Sequence, residues 1–75
     1  MTKVTRRLVI CVHNEGYEAS LERRKIYVAL PDARAEKLGR IRVIDESGED
    51  YLYAKEAFIE VSLPQSVRRA VLLAG

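Results

Sequence analysis

Tryptophan is absent from this 75-residue chain, and cysteine, histidine, phenylalanine and methionine occur once each. A single cysteine, Cys11, rules out an internal disulfide framework. One cysteine and one histidine also fall short of the four ligands that a structural zinc site takes, so no metal centre is expected. The four glycines stand apart from one another, which leaves no glycine-rich loop to cradle a phosphate and excludes nucleotide chemistry. No apolar run approaches the roughly 20 residues needed to cross a bilayer, and no secretory signal pattern is present. The expected protein has no membrane partner, and its unpaired cysteine fits a reducing, cytoplasmic setting. The formal net charge of +2 is too small to mark a nucleic-acid binder by itself.

What is present is a chain rich in aliphatic residues, with an ordinary charged fraction, so folding rather than disorder is expected. Its length allows one domain, residues 1–75, whose core supplies only about 3–5 kcal/mol. A deep enclosed active site is not expected in so small a body, and no catalytic or cofactor-binding residue is assigned. Charge is unevenly spread. Ten of the thirteen basic residues precede Asp45, whereas six of the eleven acidic ones lie from Asp45 onward. Such polarity either makes a basic face or cancels in three dimensions.

Residues 1–5 read as a frayed start. The run R-R-L-V-I-C-V-H, residues 6–13, is apolar in both alternating sets, as in a strand covered on both faces. Asn14-Glu15-Gly16 carries turn chemistry and opens a long loop to Glu22. A second strand, R-K-I-Y-V-A-L, stops at Pro31, which has no N–H to donate. Residues 32–39 read as a helical loop of one to two turns that Asp32 caps and Gly39 ends. Residues 40–44 and 50–54 alternate as a hairpin, 55–57 as a single 3₁₀ turn, and 58–61 as a short closing strand. Ser62-Leu63-Pro64-Gln65 matches a capping box, after which Leu63, Val67, Ala70, Val71 and Ala74 fall on one stripe of a helix over about 63–74.

Five short strands, a long first loop, a polar second connection, a tight hairpin and a 3₁₀ turn before the last strand resemble the SH3-like barrel. The segment D-E-S-G-E-D-Y-L-Y-A-K-E-A-F-I-E-V is also similar to the matching part of short, uncharacterised bacterial and phage proteins of that fold. The resemblance covers residues 7–61 and implies a mainly β fold, a five-stranded SH3-like small barrel over about 6–61 with a C-terminal α-helix. It is a fold signature, and its functional specificity is poor. Signalling SH3 domains carry an A-L-Y-D-Y segment and paired tryptophans for binding polyproline; this chain has neither, so proline-peptide binding is set aside. By analogy the ligand face lies near Tyr51 and Tyr53, on the strand that leads into the 3₁₀ turn.

The make-up of that face depends on the hairpin register. A four-residue loop, residues 46–49, pairs Arg42 with Tyr53 and Ile44 with Tyr51, turning Ile41, Val43, Leu52 and Ala54 inward. A three-residue loop with a bulge at Gly48 shifts every pairing by one and sends both tyrosines to the face of Ile41 and Val43. Turn chemistry leans to the shorter loop, whereas the wholly aliphatic inner face favours the longer one, which is preferred here. It leaves Arg40, Arg42, Tyr51 and Tyr53 as one exposed interaction face.

Arginine and tyrosine on one face suit a protein interface, and equally phosphate neutralisation with base stacking on single-stranded nucleic acid. The plainer alternative is cross-strand packing of rings over arginine stems. Cys11 and His13, two residues apart, lack a third orienting group for nucleophilic catalysis. The acidic turn Asp45, Glu46, Glu49, Asp50 does not match a calcium-loop spacing. Arg23-Arg24-Lys25 and Arg68-Arg69 read as solubilising surface. The helix either closes an open end of the barrel or, through Leu72 and Leu73, pairs with another copy in a homo-oligomer. The expected protein is a non-enzymatic binding or adaptor module with a protein partner, the alternative being a nucleic-acid-binding accessory protein.

Overall fold

The computed structural model describes residues 6–74; the frayed start expected for residues 1–5 lies outside the described residues. Five strands follow one another: β1 (Arg7–Cys11), β2 (Ile26–Leu30), β3 (Arg40–Ile44), β4 (Asp50–Ala54) and β5 (Phe58–Val61). A short helix, α1 (Ala33–Lys37), joins β2 to β3, a 3₁₀ turn (Lys55–Ala57) joins β4 to β5, and helix α2 (Gln65–Ala74) follows β5.

Local chemistry sets these boundaries. Asp32 caps α1, its Oδ1 accepting the Ala35 N–H at 3.0 Å, and Gly39, at φ 73°, ends it in the left-handed region that a Cβ disfavours. β1 is shorter than the run 6–13, because Val12 and His13 leave the ladder and both donate their N–H groups to the Ala57 carbonyl, at 2.8 and 3.3 Å. α2 begins at Gln65 rather than 63. Its first bond runs from the Arg68 N–H to the Pro64 carbonyl at 2.8 Å, so Ser62 stands outside the helix and no capping box forms there. Pro64 explains the shift, since the residue before a proline is held extended and Leu63 cannot begin the helix.

The sheet is antiparallel throughout, in the order β4-β3-β2-β1-β5. β5 returns to pair with β1, but the outer strands β4 and β5 do not pair with each other. The chain is therefore mainly β, one open five-stranded sheet with a C-terminal helix, and no β4–β5 ladder closes it into the expected small barrel. Side chains of the first loop occupy the inner face instead. Leu21 is wholly buried there, among Val9, Cys11, Tyr27, Ala29, Ile41, Val43, Tyr53, Ala57 and Phe58. The later part of the loop is pinned by two backbone bonds: Arg24 N–H to the Cys11 carbonyl at 2.7 Å, and Glu46 N–H to the Ser20 carbonyl at 3.0 Å. Edge-to-face ring pairs, Tyr27–Phe58 at 6.4 Å and Tyr53–Phe58 at 6.1 Å, tie the two ends of the sheet together across this core.

The outer face is apolar too, as the two-sided pattern of β1 requires. Leu8 is buried there, flanked across the ladders by Val28 and Val61, with Val28 in turn opposite Ile44. α2 rests over this row: Val71 and Ala74 share a groove of about 460 Å³ with Leu8, Val28 and Ile44. The helix thus lies on the sheet's outer face and does not close a barrel end, because the apolar surface needing cover is at the sheet centre. None of its residues is buried, Leu73 points to solvent, and Arg68 anchors its first turn by donating to the Arg6 carbonyl. Among the described residues no helix is long and apolar enough to cross a membrane.

Candidate functional site

The hairpin register decides the site. Arg40 faces Ala54, Ile41 faces Tyr53, Arg42 faces Leu52, Val43 faces Tyr51 and Ile44 faces Asp50. Asp45 continues the ladder, its N–H donating to the Glu49 carbonyl at 3.0 Å, so the loop is the three residues Glu46, Ser47 and Gly48. Gly48 N–H closes the turn on the Asp45 carbonyl at 3.0 Å, and Gly48 adopts φ 85°, the left-handed conformation of a G1 bulge.

This overturns the four-residue loop and with it the expected face of Arg40, Arg42, Tyr51 and Tyr53. The two arginines point outward, whereas both tyrosines join Ile41 and Val43 on the inner side. Tyr53 is only 4% exposed, Tyr51 50%. The aliphatic alternative would place Leu52 and Ala54 inside, giving up the large apolar area of the buried Tyr53 ring. Turning Tyr53 inward is tolerable only because its hydroxyl finds a partner: it donates to Asp45 Oδ2 at 2.5 Å.

Arg42 is not free to recruit a partner. Its Nε reaches Asp32 Oδ2 at 2.8 Å and its Nη1 reaches Asp50 Oδ2 at 3.0 Å, so it clamps the cap of α1 to the start of β4. The backbone N–H of Ala35, and after it the Arg42 guanidinium, hold the Asp32 carboxyl below its ordinary range.

Asp45, 6% exposed, is the buried charged residue among those described. Its Oδ1 accepts both the Ser47 N–H at 2.9 Å and the Ser47 hydroxyl at 2.5 Å. Burial pushes this carboxyl up, but the bonds from Ser47 and Tyr53 outweigh it and the net direction is down, so it is ionised at neutral pH. Tyr53 moves the other way: burial first, then the adjacent Asp45, raise its hydroxyl from the ordinary 10.0 to about 12. Alkaline titration followed by tyrosinate absorbance should accordingly show a component near pH 12 that the Tyr53→Phe variant lacks; its absence from the wild-type curve would mean that the ring is not held against Asp45.

Above this pair lies a cleft of about 390 Å³ between the first loop and the hairpin, lined by Tyr17, Ser20, Asp45, Ser47, Tyr51, Leu52 and Tyr53. Tyr17, 39% exposed, meets Tyr53 edge to face with ring centroids 5.0 Å apart. Tyr51 donates its hydroxyl to Glu49 Oε1 at 3.0 Å on the rim. The cleft thus has two partly exposed aromatic walls, a hydrogen-bonding floor and no basic lining residue. Sequence reasoning named Tyr51 and Tyr53 but missed Tyr17 and Asp45. The available signal was alternation: Asp45 lies two residues beyond Val43 and so shares the inner side, and Gly48 marks the short loop.

The other candidates separate. Cys11 is wholly buried, its thiol bonded to the His13 carbonyl at 3.4 Å and raised chiefly by burial, whereas the His13 ring is exposed near Glu15. The strand ends at Cys11, so the buried thiol and the exposed imidazole lie in different surroundings. Among the described residues no three His, Cys, Asp or Glu side chains gather as metal ligands. In comparisons with known proteins, no family model, no curated protein and no solved structure matches the chain.

Proposed function

We propose that this protein is a small non-enzymatic docking module that binds a segment of another protein in the cleft between its first loop and its hairpin. The observation that carries the reading is that two partly exposed tyrosines, Tyr17 and Tyr51, line one cleft over a hydrogen-bonded floor formed by Tyr53 and Asp45. Tyrosine supplies large contact area at small entropic cost, and a floor already fixed by hydrogen bonds is pre-organised for binding. The fold reading that goes with it is a bent, SH3-like small barrel in which the first loop, rather than a β4–β5 ladder, completes the closure. The sheet order and the 3₁₀ turn ahead of the last strand support that reading.

The arrangement of charges favours this reading over binding to nucleic acid. Stacking needs rings beside cations, yet Arg40 and Arg42 stand on the opposite side from the tyrosines, and the cleft's charged neighbours are carboxylates.

Panning the whole protein against a display library of random peptides tests the reading. Selected peptides should shift the amide resonances of Ser20, Ser47 and Tyr51, and Tyr51→Ala should weaken them about tenfold or more, as loss of an interface tyrosine typically does. Because Tyr51 is half exposed, the variant should melt with the wild type. Peptide binding that Tyr51→Ala leaves intact, or salt-dependent binding to oligonucleotides in place of peptides, overturns the proposal.

A further inference from the structure

The cleft carries a charge that the molecule itself does not neutralise. Six carboxylates elsewhere pair with a lysine or arginine: Glu36 and Glu60 with Arg7, Glu22 and Glu46 with Lys25, Asp32 and Asp50 with Arg42. Asp45 forms no ion pair among the described residues, although it is the most buried carboxylate, and Glu49 on the rim forms none either. Hydrogen bonds from Ser47 and Tyr53 compensate its burial, but no cation offsets its unit charge, and a charge left unpaired in a cleft partly shielded from water attracts a cation that can reach it.

The carboxylate also retains acceptor capacity. Oδ1 takes two hydrogen bonds from Ser47, whereas Oδ2 takes one, from Tyr53. A carboxylate oxygen has room for about two, so Oδ2 has one acceptor position open. The rings of Tyr17 and Tyr51 stand over the same cleft and keep part of their surface in solvent. Ring faces attract cations held within roughly 6 Å, and more strongly where water is excluded.

We infer that the occupant of the cleft is a cationic side chain, lysine or arginine, projecting from the bound segment so that its charge sits between the Tyr17 and Tyr51 rings and donates to Asp45 Oδ2. The inference rests on the docking reading above and adds to it the chemistry of the occupant. Arginine fits better than lysine, because a planar guanidinium stacks on a ring while directing an N–H at a carboxylate.

Two probes separate the charge from the docking. The first is a blocked pentapeptide, Gly-Gly-Arg-Gly-Gly, with lysine, citrulline and norleucine counterparts, added to the whole protein while the Ser20, Ser47 and Tyr51 amides are followed. Arginine and lysine peptides should shift these resonances, increasingly at low salt, and the neutral citrulline and norleucine peptides should not. The second is a library-selected peptide in which its basic residue is exchanged for citrulline, which should cost about tenfold or more in affinity. Glu49→Gln, at an exposed rim position, should weaken the arginine peptide while leaving the melting curve in place.

A selected peptide that binds the cleft equally well with citrulline overturns the inference and leaves the docking reading standing. An arginine pentapeptide that shifts the cleft amides while no library peptide competes with it sinks the docking reading, and with it the inference that the cation belongs to a docked segment. No cleft response to either probe ends both.

Discussion

Leu21→Ala should leave a large share of the protein unfolded at 25 °C, although the residue lies in a loop with no secondary structure of its own. Leu21 is wholly buried in the core cluster, and its backbone is held on both sides: its N–H donates to the Tyr17 carbonyl at 2.8 Å, and its carbonyl accepts Asn14 Nδ2 at 3.0 Å. With the backbone fixed, neighbours cannot collapse into the space a deleted isobutyl group leaves. Leucine-to-alanine changes at such sites cost about 2–5 kcal/mol, comparable to the 3–5 kcal/mol that a core of this size supplies. A loss of about 3 kcal/mol corresponds to a fall of roughly 12–24 °C in Tm for a domain of this length. Leu38→Ala is the control, since Leu38 is largely exposed beside α1 and should change stability by less than about 0.5 kcal/mol. Urea denaturation followed by circular dichroism distinguishes the two. A Leu21→Ala effect below about 1 kcal/mol would show that the first loop is not part of the core.

That loop marks where sequence reasoning stopped. The strands, α1 and the 3₁₀ turn were legible because each carries a local signal: alternation in β2 and β3, Pro31 as a stop, Asp32 as a cap, Gly39 as an exit. Leu21 carries none. It stands between Ser20 and Glu22, in a stretch without periodicity, and only the empty space over Val43 and Tyr53 determines that it turns inward.

The hairpin register was misjudged for a different reason. Hydrophobicity ranks Leu52 and Ala54 above two tyrosines for an inner face, because a phenol counts as partly polar when considered alone. In the fold it is not alone. Asp45 takes the Tyr53 hydroxyl, Glu46 takes the Tyr27 hydroxyl at 2.6 Å, and Tyr27 in turn accepts the Glu22 N–H at 2.7 Å. The acidic turn, which matches no calcium loop, is the acceptor set that permits the Tyr53 and Tyr27 rings to be buried. The exposed Arg–Tyr face failed with it, since a one-residue shift moves every side chain to the other side. The open sheet follows the same logic: burial of Leu21 against its inner face depends on partners far apart in sequence, to which alternation is blind.

Asp45 therefore joins fold and site, and its replacement gives the second large effect. Asp45→Ala removes three hydrogen bonds at once and leaves the Tyr53 hydroxyl buried without an acceptor. Bonds to a charged group contribute about 1.5–3 kcal/mol each and an orphaned buried donor costs about 1–3 kcal/mol, while removing the carboxylate relieves its desolvation by several kcal/mol, so a net loss of about 3 kcal/mol is expected. Tyr53→Phe removes the donor together with its need. In the double variant Asp45→Ala/Tyr53→Phe the two losses should be less than additive by about 1 kcal/mol or more, as for groups in direct contact. Strict additivity would mean that the short contact between them contributes nothing.

The pH dependence has a definite sign. The Asp45 carboxyl is lowered in the folded state, so its contribution is fully present above the unfolded value of about 4 and is lost as pH falls through the lower folded value. Tyr53 is raised to about 12, so its contribution is fully present below the unfolded value of 10.0 and is lost as pH rises towards 12. Between those limits the pair is insensitive to pH. Asp45→Asn keeps an acceptor for Tyr53 and abolishes the acid limb of this pair, so its stability relative to wild type should improve as pH is lowered through the acid range. A constant difference from neutral pH down to pH 3, measured by urea denaturation, would place the Asp45 charge outside the folding equilibrium and leave its buried carboxylate to be explained by the cleft alone.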